Sequence, residues 1–289
     1  MDELLIRHDG VSLAASYSPG GATALVALHG AGMGTRDYFL YRNLHELLPE
    51  VGIGVVTFDR RGEGQSTGDV SRGRFEVQAA DALAVCEALD VPRVGLWGVS
   101  QGGWIAPLAA SQSSRVAFVV GIASTGVTPS EQMMYAVAQQ LERARYGSAV
   151  VQRVLALRRF YEAHVHGYAD GREEELAAEL ARAMEEPWWL LAFLPPVPLD
   201  AEGRRLWIEE MDFDPRPIFA RVNAPALMFY GEDDAWTPVR PSVDAWRAAR
   251  GEAVEIVVIP EASHELCLAD DTLSPDYEQK LVDWLVALP

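Results

Sequence analysis

The sequence is poor in lysine, in cysteine and in long apolar runs, and each shortage excludes a class of protein. Only one of the 24 basic residues is a lysine, Lys280, so Schiff-base chemistry would depend on that residue alone. Two cysteines, Cys86 and Cys267, make no disulfide framework, and no Cys/His spacing resembles a zinc site. No apolar run is long enough to span a bilayer, and residues 1–3 lack the basic, apolar start of a signal peptide. We therefore expect a cytoplasmic protein without a bound metal.

Positive charge is scarce as well. Asp and Glu number 42 against 24 Lys and Arg, which gives a formal net charge of -18 at pH 7. A protein this negative is repelled by phosphate backbones and by anionic lipid surfaces, so we expect binding to neither nucleic acid nor membranes. The hydrophobic content of 49% is that of an ordinary globular chain, and the sequence predicts no oligomeric state.

Short apolar runs alternate with amphipathic stretches in the first and the last parts of the chain. The first two runs are joined by Asp9-Gly10, a strong hairpin signal, and several later runs are continuously apolar, as in strands buried on both faces. The alternation predicts an α/β fold, an eight-stranded and mostly parallel sheet flanked by helices. The predicted strands are 3–7, 11–17, 24–28, 53–58, 94–97, 116–122, 226–230 and 254–259, and the predicted helices are 38–48, 75–89, one beginning near Ser100, 241–250 and 277–288.

The strand signal disappears between Thr128 and Val222. This stretch carries helical patterns and an apolar segment punctuated by prolines at 187–196. A structureless loop of that length is improbable in a compact domain. We therefore predict an α/β core of residues 1–127 and 223–289 with an inserted helical subdomain at 128–222.

One short motif has the residue types of a catalytic nucleophile. Residues 98–102 read Gly-Val-Ser-Gln-Gly and lie between a buried predicted strand and a predicted helix. A G-x-S-x-G sequence is common by chance, but in this context it predicts a nucleophile elbow that presents Ser100 at the carboxyl end of the sheet. The alternative is a glycine-rich turn without chemistry.

A serine nucleophile needs a base, and the base needs a carboxylate to orient it. Of the six histidines, His264 alone follows a late predicted strand in a short loop. The loop after strand 226–230 holds three carboxylates, Glu232, Asp233 and Asp234, and the residues by themselves do not choose among them.

These motifs resemble those of the α/β-hydrolase fold superfamily, in the branch with a helical cap. The family's triad comes in the order Ser, Asp, His, and residues 231–238 match its G-x-x-D-x-x-x-P spacing. The resemblance implies Ser100 as nucleophile, Asp234 as the acid and His264 as the base. The insertion matches no cap that we can assign.

The resemblance extends to two further loops. Residues 29–32 resemble the family's His-Gly oxyanion motif, and residues 59–66 resemble its D-x-R-G-x-G-x-S turn, which is structural. It implies that the backbone N–H groups of Ala31 and Gln101 stabilise an oxyanion, with Gly32 as the donor if the loop is displaced by one residue.

The expected function is that of a serine hydrolase acting on a carboxylic ester in a mid-sized, mostly apolar small molecule. A thioesterase, an amidase, an acyltransferase, a carbon–carbon bond hydrolase or a tailoring enzyme of secondary metabolism would use the same residues. A non-catalytic ligand-binding member is a further alternative, which the intact triad disfavours. No arginine cluster or phosphate-binding loop follows a predicted strand, apart from Arg60-Arg61 after the fourth, so we expect no cofactor.

Five aromatic residues are candidates for contact with the substrate. Trp104 and Trp236 lie close in sequence to Ser100 and Asp234, and Trp188, Trp189 and Phe193 lie in the insertion. For each of them the alternative is packing in a hydrophobic core, and that alternative is favoured for Trp104.

Overall fold

The computed structural model of the protein describes residues 1–32, 34–69 and 74–288. Its helices are α1 (Phe39–Leu47), α2 (Phe75–Glu87), α3 (Gly102–Ala110), α4 (Pro129–Arg143), α5 (Ser148–Val165), α6 (Glu173–Met184), α7 (Ala201–Met211), α8 (Arg216–Phe219), α9 (Val239–Arg250) and α10 (Pro275–Ala287). Its strands are β1 (Asp2–His8), β2 (Val11–Ser18), β3 (Thr23–Leu28), β4 (Ile53–Phe58), β5 (Arg93–Val99), β6 (Val116–Ile122), β7 (Ala226–Gly231) and β8 (Val254–Ile259). Every predicted strand is confirmed, with ends that move by at most two residues.

Within the described residues the strands form one eight-stranded sheet in the order β1-β2-β4-β3-β5-β6-β7-β8. The hairpin turns at Asp9 and Gly10, whose φ angles of 48° and 72° are those expected of a tight two-residue connection. β2 pairs with β4 in the antiparallel sense, and the pairs from β4 to β8 are parallel. The predicted fold class is confirmed.

Parallel pairing brings the carboxyl ends of β3, β4, β5, β7 and β8 to one edge of the sheet. In open α/β sheets this edge is where ligands bind. The loops that begin at His29, Asp59, Ser100, Glu232 and Pro260 all start there. The motifs found in the sequence therefore share one edge although they are far apart along the chain.

The chain divides into two compact units. The sheet unit comprises Met1–Gly126, Pro215–Asp234 and Val239–Pro289, and the helical unit comprises Val127–Asp214 and Ala235–Pro238. The helical unit ends at Asp214, earlier than the predicted boundary at 222, and α8 belongs to the sheet unit. The predicted division of the chain into domains stays a prediction.

The helical unit begins with a capping box. Thr128 accepts a hydrogen bond from the backbone N–H of Glu131, whose side chain accepts one from the N–H of Thr128, and Pro129 occupies the first turn of α4. Helices α4 to α6 then pack around a hydrophobic cluster that includes Val154, Tyr161 and Leu176. Over residues 1–32, 34–69 and 74–288, no helix has the length and apolar character needed to cross a membrane.

Candidate active site

Ser100 lies in a strained turn between β5 and α3. Its φ angle is +55°, a value that non-glycine residues rarely adopt and that is common at functional sites. The backbone holds it there, because its N–H donates to the carbonyl of Ile122 at 2.9 Å and its own carbonyl accepts from the N–H of Gly103 at 2.8 Å. A Cβ built on Gly98 would lie 2.1 Å from the carbonyl oxygen of Gly102, so the turn requires glycine at that position.

His264 and Asp234 are joined by a hydrogen bond of 2.8 Å between Nδ1 and Oδ2. A carboxylate only accepts, so Nδ1 carries the proton and the Nε2 atom of the neutral ring is an acceptor. Asp234 is 2% exposed, whereas Glu232 and Asp233 are exposed to solvent. The structure thus pairs the histidine with the carboxylate that the family resemblance selects.

The loops that carry these two side chains are fixed to each other by their backbones. The N–H of Asp233 donates to the carbonyl of Ala262 at 2.9 Å. A Cβ on Gly231 would lie 2.0 Å from the carbonyl oxygen of Ser263, so the loops approach too closely there for any residue but glycine. The separation of the carboxylate and the imidazole is therefore set by main-chain contacts.

The loop after β3 reaches the elbow. A Cβ position built on Gly30 lies 3.6 Å from the Cβ of Ser100. His29 is buried beside it, and its Nε2–H donates to the carbonyl of Phe58 at 2.6 Å. Burial, reinforced by the positive charge of Arg60, lowers the pKa of His29 to about 3, so this ring is neutral and has a structural role.

The predicted oxyanion donors lie at the two loops that meet at this point. Ala31 and Gly32 are exposed, directly after Gly30. Gln101 has helical backbone angles at the start of α3, where backbone N–H groups have no partner within the helix. Their part in binding an oxyanion stays a prediction.

Two of the predicted lining residues are packed inside their own units. Trp104 is 4% exposed, and its Nε1–H donates to the carbonyl of Thr125 at 2.7 Å. Trp188 is 2% exposed and belongs to the core cluster of the helical unit, where the guanidinium of Arg153 lies 5.4 Å from its ring. For both residues this placement favours the core-packing alternative.

The other three lining candidates lie in the helical unit in more open positions. Trp189 is partly buried against the core cluster. Phe193 is 40% exposed, and its ring centroid lies 5.4 Å from that of Trp236, with the rings at 65°. A role of these aromatic side chains in binding a substrate stays a prediction.

Arg60, in the turn 59–66, is not among the site residues predicted from the sequence. Arg60 is 8% exposed, and its guanidinium donates to the carbonyls of Gly30 and Ala31. The available signal was an arginine pair directly after a continuously apolar strand, at a sheet edge rich in motifs. Two adjacent cations at such a place must find buried partners.

The chain is similar to known hydrolases in sequence and in fold. It matches the model of the alpha/beta hydrolase family over residues 25–276. It is 39% identical over 77 residues to an uncharacterized 31.7 kDa protein in the traX-finO intergenic region of Escherichia coli, a match that covers 25% of this chain and 27% of that protein. It is 26% identical over 222 residues to a 2-hydroxy-6-oxononadienedioate/2-hydroxy-6-oxononatrienedioate hydrolase of Paraburkholderia xenovorans, covering 76% of this chain and 73% of the relative. An esterase of Pyrococcus furiosus superposes with a TM-score of 0.66 at 17% identity, covering 99% of this chain and 90% of that chain, which shows a shared fold.

Proposed function

This chain belongs to the alpha/beta hydrolase family, and we propose that it is a serine hydrolase that cleaves a carboxylic ester with Ser100, His264 and Asp234. The observation that carries the proposal is the 2.8 Å hydrogen bond from His264 Nδ1 to the buried Asp234. It leaves Nε2 as the basic atom, at the edge of the sheet where the strained Ser100 turn also lies.

In the proposed reaction Nε2 of His264 takes the hydroxyl proton of Ser100 as Oγ attacks the ester carbonyl carbon. The carbonyl oxygen becomes an oxyanion that accepts hydrogen bonds from the N–H groups of Ala31 and Gln101, each worth roughly 3 kcal/mol. The C–O bond then breaks, and the imidazolium gives its proton to the departing alkoxide. Asp234 stabilises the imidazolium in both halves of the reaction.

The acyl group remains on Ser100 as an ester until water removes it. His264 takes a proton from that water, the hydroxide adds to the acyl carbon, and the Ser100 oxygen departs with the proton that the imidazolium returns. The products are a carboxylic acid, an alcohol and the unchanged enzyme. No redox partner or metal takes part in this sequence.

The triad also suits other acyl substrates. Thioesters and amides need the same nucleophile, base and oxyanion donors, and an acyltransferase differs only in the acceptor that replaces water. Carbon–carbon bond hydrolysis is supported as a second candidate by the 26% identity to the hydrolase from Paraburkholderia xenovorans. Assay of 2-hydroxy-6-oxononadienedioate beside a panel of esters separates the two, because the better substrate has the higher kcat/KM.

Hydrolysis of p-nitrophenyl esters of increasing acyl length by the full chain tests the proposal. We expect activity that is highest for apolar acyl groups of intermediate length. Ser100→Ala and His264→Ala should each lower kcat by at least about 10³-fold, because the nucleophile and the base act as one unit. Cys267→Ser, three residues beyond His264, is the matched control and should retain activity. Full activity in Ser100→Ala would contradict the proposal.

A further inference from the structure

The loop that carries the predicted oxyanion donor Ala31 is held by a single buried cation. Nη2 of Arg60 donates to the carbonyl of Gly30 at 2.5 Å, and Nη1 lies 3.5 Å from the carbonyl of Ala31. The backbone N–H of Arg60 donates to the carbonyl of Gly34 at 2.6 Å. One residue therefore binds three carbonyls of the loop between β3 and α1.

Two of these carbonyls, those of Gly30 and Ala31, belong to the peptide units of the predicted oxyanion donors. The peptide that contains the Gly30 carbonyl also contains the N–H of Ala31, and the peptide of the Ala31 carbonyl contains the N–H of Gly32. In a trans peptide the C=O and the N–H point in opposite directions. A donor that fixes the carbonyl on one side therefore fixes the direction of the N–H on the other.

We propose that Arg60 is a positioning residue for the oxyanion hole: by binding the Gly30 carbonyl it directs the N–H of Ala31 toward the carbonyl oxygen of a substrate at Ser100. The inference rests on the proposed function. The 3.6 Å between the Cβ position of Gly30 and the Cβ of Ser100 places this peptide beside the nucleophile. Arg60 lies closer to the Gly30 carbonyl than to the Ala31 carbonyl, so it constrains the peptide of the Ala31 N–H more closely than that of the Gly32 N–H.

The charge of Arg60 adds to the effect of its geometry. A hydrogen bond from an ionised donor to a carbonyl polarises the peptide, and chains of hydrogen bonds strengthen one another in a low-dielectric site. The Ala31 N–H thereby becomes a stronger donor at the moment when negative charge develops on the substrate oxygen. Stabilisation of this kind acts on the transition state and not on the bound ester, so it raises kcat and leaves KM unchanged.

A structural role limited to an ion pair makes a different prediction. Nη1 of Arg60 also lies 3.2 Å from Oε1 of Glu63, whose side chain is 27% exposed. If this pair were the sole purpose of Arg60, Glu63→Gln would be as harmful as a change at Arg60. We expect Glu63→Gln to change kcat by less than about 5-fold, because an ion pair with one partly exposed partner contributes little.

The test compares Arg60→Met, Arg60→Lys and Glu63→Gln in the full chain, with p-nitrophenyl esters and with a trifluoromethyl ketone that forms a tetrahedral oxyanion on the serine. Arg60→Met should lower kcat by about 10²-fold with KM within about 3-fold of the original, the loss usual for one oxyanion donor. It should weaken binding of the ketone by a similar factor. Arg60→Lys restores a cation but not the planar, two-armed guanidinium, so its kcat and its affinity for the ketone should lie between those of Arg60→Met and those of the original protein. The pH at which kcat/KM is half-maximal should not move, since His264 and Asp234 are untouched.

A kcat of Arg60→Met within about 3-fold of the original protein overturns the inference, and so does equal damage by Glu63→Gln. If Arg60→Met does not fold, Arg60→Lys decides: unchanged kcat and unchanged ketone affinity in that variant overturn the inference, and a loss in both supports it. Ser100→Ala, assayed in parallel, distinguishes a failure of the proposed function from a failure of the proposed role of Arg60. An inactive Ser100→Ala beside a fully active Arg60→Met leaves the proposed function standing and removes only the role of Arg60.

Discussion

The sheet unit and the helical unit bury polar groups for different purposes. In the sheet unit the buried Arg60 binds the loop after β3, at the carboxyl edge of the strands. In the helical unit the buried Arg158, 1% exposed, donates to the carbonyls of Ala192 and Phe193 at 2.6 and 3.0 Å, where a short 3₁₀ helix ends. The first arrangement supports candidate catalytic groups, and the second supports the unit's own core.

The surfaces of the two units differ as well. Leu190 and Val197 of the helical unit are 82% and 60% exposed, in the segment that also holds Phe193. The candidate catalytic residues of this chain thus lie in loops at the ends of strands in the sheet unit. In the helical unit the buried arginine and the core cluster serve packing, and the sequence of this unit carries no catalytic motif.

The largest expected effect is a loss of kcat on substitution of Asp234, the proposed acid of the triad, that is absent when its neighbour is substituted. Asp234→Asn should lower kcat by about 10⁴-fold, because an amide favours the wrong tautomer of His264 and does not stabilise the imidazolium. Asp233→Asn, one residue earlier and exposed, is the matched control and should stay within about 3-fold of the original kcat. Equal effects of the two substitutions in ester hydrolysis would show that the 2.8 Å contact with His264 has no catalytic role.

Two glycines, one at the elbow of the sheet unit and one in the helical unit, test where the backbone tolerates a side chain. Gly98→Ala places a methyl group 2.1 Å from a backbone oxygen and should lower kcat by about 10²-fold through displacement of Ser100. Gly147→Ala in the helical unit has no atom within 4 Å of its new Cβ and should change the free energy of unfolding by less than about 1 kcal/mol. Both quantities are measured by ester hydrolysis and urea denaturation. An active Gly98→Ala would mean that the elbow tolerates movement.

Two buried arginines, one in each unit, should differ in how much their removal reduces the free energy of unfolding. Arg61→Met removes the guanidinium that binds the buried Asp81 at 2.7 and 3.0 Å and leaves that carboxylate beside His8 Nε2, 3.9 Å away, and it should reduce the free energy of unfolding by about 3–5 kcal/mol. Arg158→Met should cost about 1–3 kcal/mol, because none of the described carboxylates forms an ion pair with Arg158 and two carbonyls lose a donor. Burial already lowers the pKa of Arg158 to about 10.

Urea denaturation of both variants, with Arg61→Met/Asp81→Leu as the control, checks this order. The double variant removes both charges and should recover part of the loss. A larger loss in Arg158→Met than in Arg61→Met would contradict the distinction between the two units.

The smallest expected effect is a difference between two histidines, one in each unit, in how their contributions to the free energy of unfolding depend on pH. Burial lowers the pKa of His45 in the sheet unit to about 4, so the unfolded chain binds a proton near pH 6.5 that the folded chain does not. Stability from this site is complete above pH 6.5 and falls as the pH decreases toward 4. In the helical unit burial lowers the pKa of His166, but the bond to Asp212 at 2.8 Å outweighs it and raises the pKa overall. That contribution is present at low pH and is lost as the pH rises through the folded pKa.

Urea denaturation at pH 7.5 and pH 5 measures the change in the free energy of unfolding on acidification, to which the two histidines should contribute with opposite signs. His45→Gln should reduce the loss of stability on acidification by about 1 kcal/mol, a value discounted for partial exposure from the roughly 1.4 kcal/mol per pH unit of a fully buried group. His166→Asn should enlarge the loss by less than about 0.5 kcal/mol. If His45→Gln instead loses more stability on acidification than the original protein, the pKa of His45 is not lowered by folding.

Local patterns predicted the sheet because a strand or a turn is determined by residues that are neighbours in sequence. The apolar run at 24–28 and the Asp9-Gly10 turn are examples, and the G-x-S-x-G motif predicted the position of the strained Ser100. The choice of Asp234 needed the family's spacing, since three carboxylates follow the same strand and only folding decides which of them meets His264.

The contacts that the sequence did not predict join loops of different strands. The bond from Arg60 to Gly30 spans thirty residues and has no periodicity or motif that announces it. In the helical unit, Trp188 and Trp189 are adjacent in sequence, yet the first is fully packed and the second only partly buried. The packing of the helices determines which of the two side chains is buried, and the apolar pattern of residues 187–196 alone does not predict it.

The central claim is that Ser100 is the nucleophile of a serine hydrolase. Reaction of the intact protein with a fluorophosphonate, followed by mass spectrometry of the protein and its peptides, tests this most directly. We expect one phosphonyl group per chain, on the peptide that contains Ser100, and none on Ser100→Ala under the same conditions. Labelling of Ser100→Ala at the original rate, or a phosphonyl group on another residue of the unaltered chain, would contradict it.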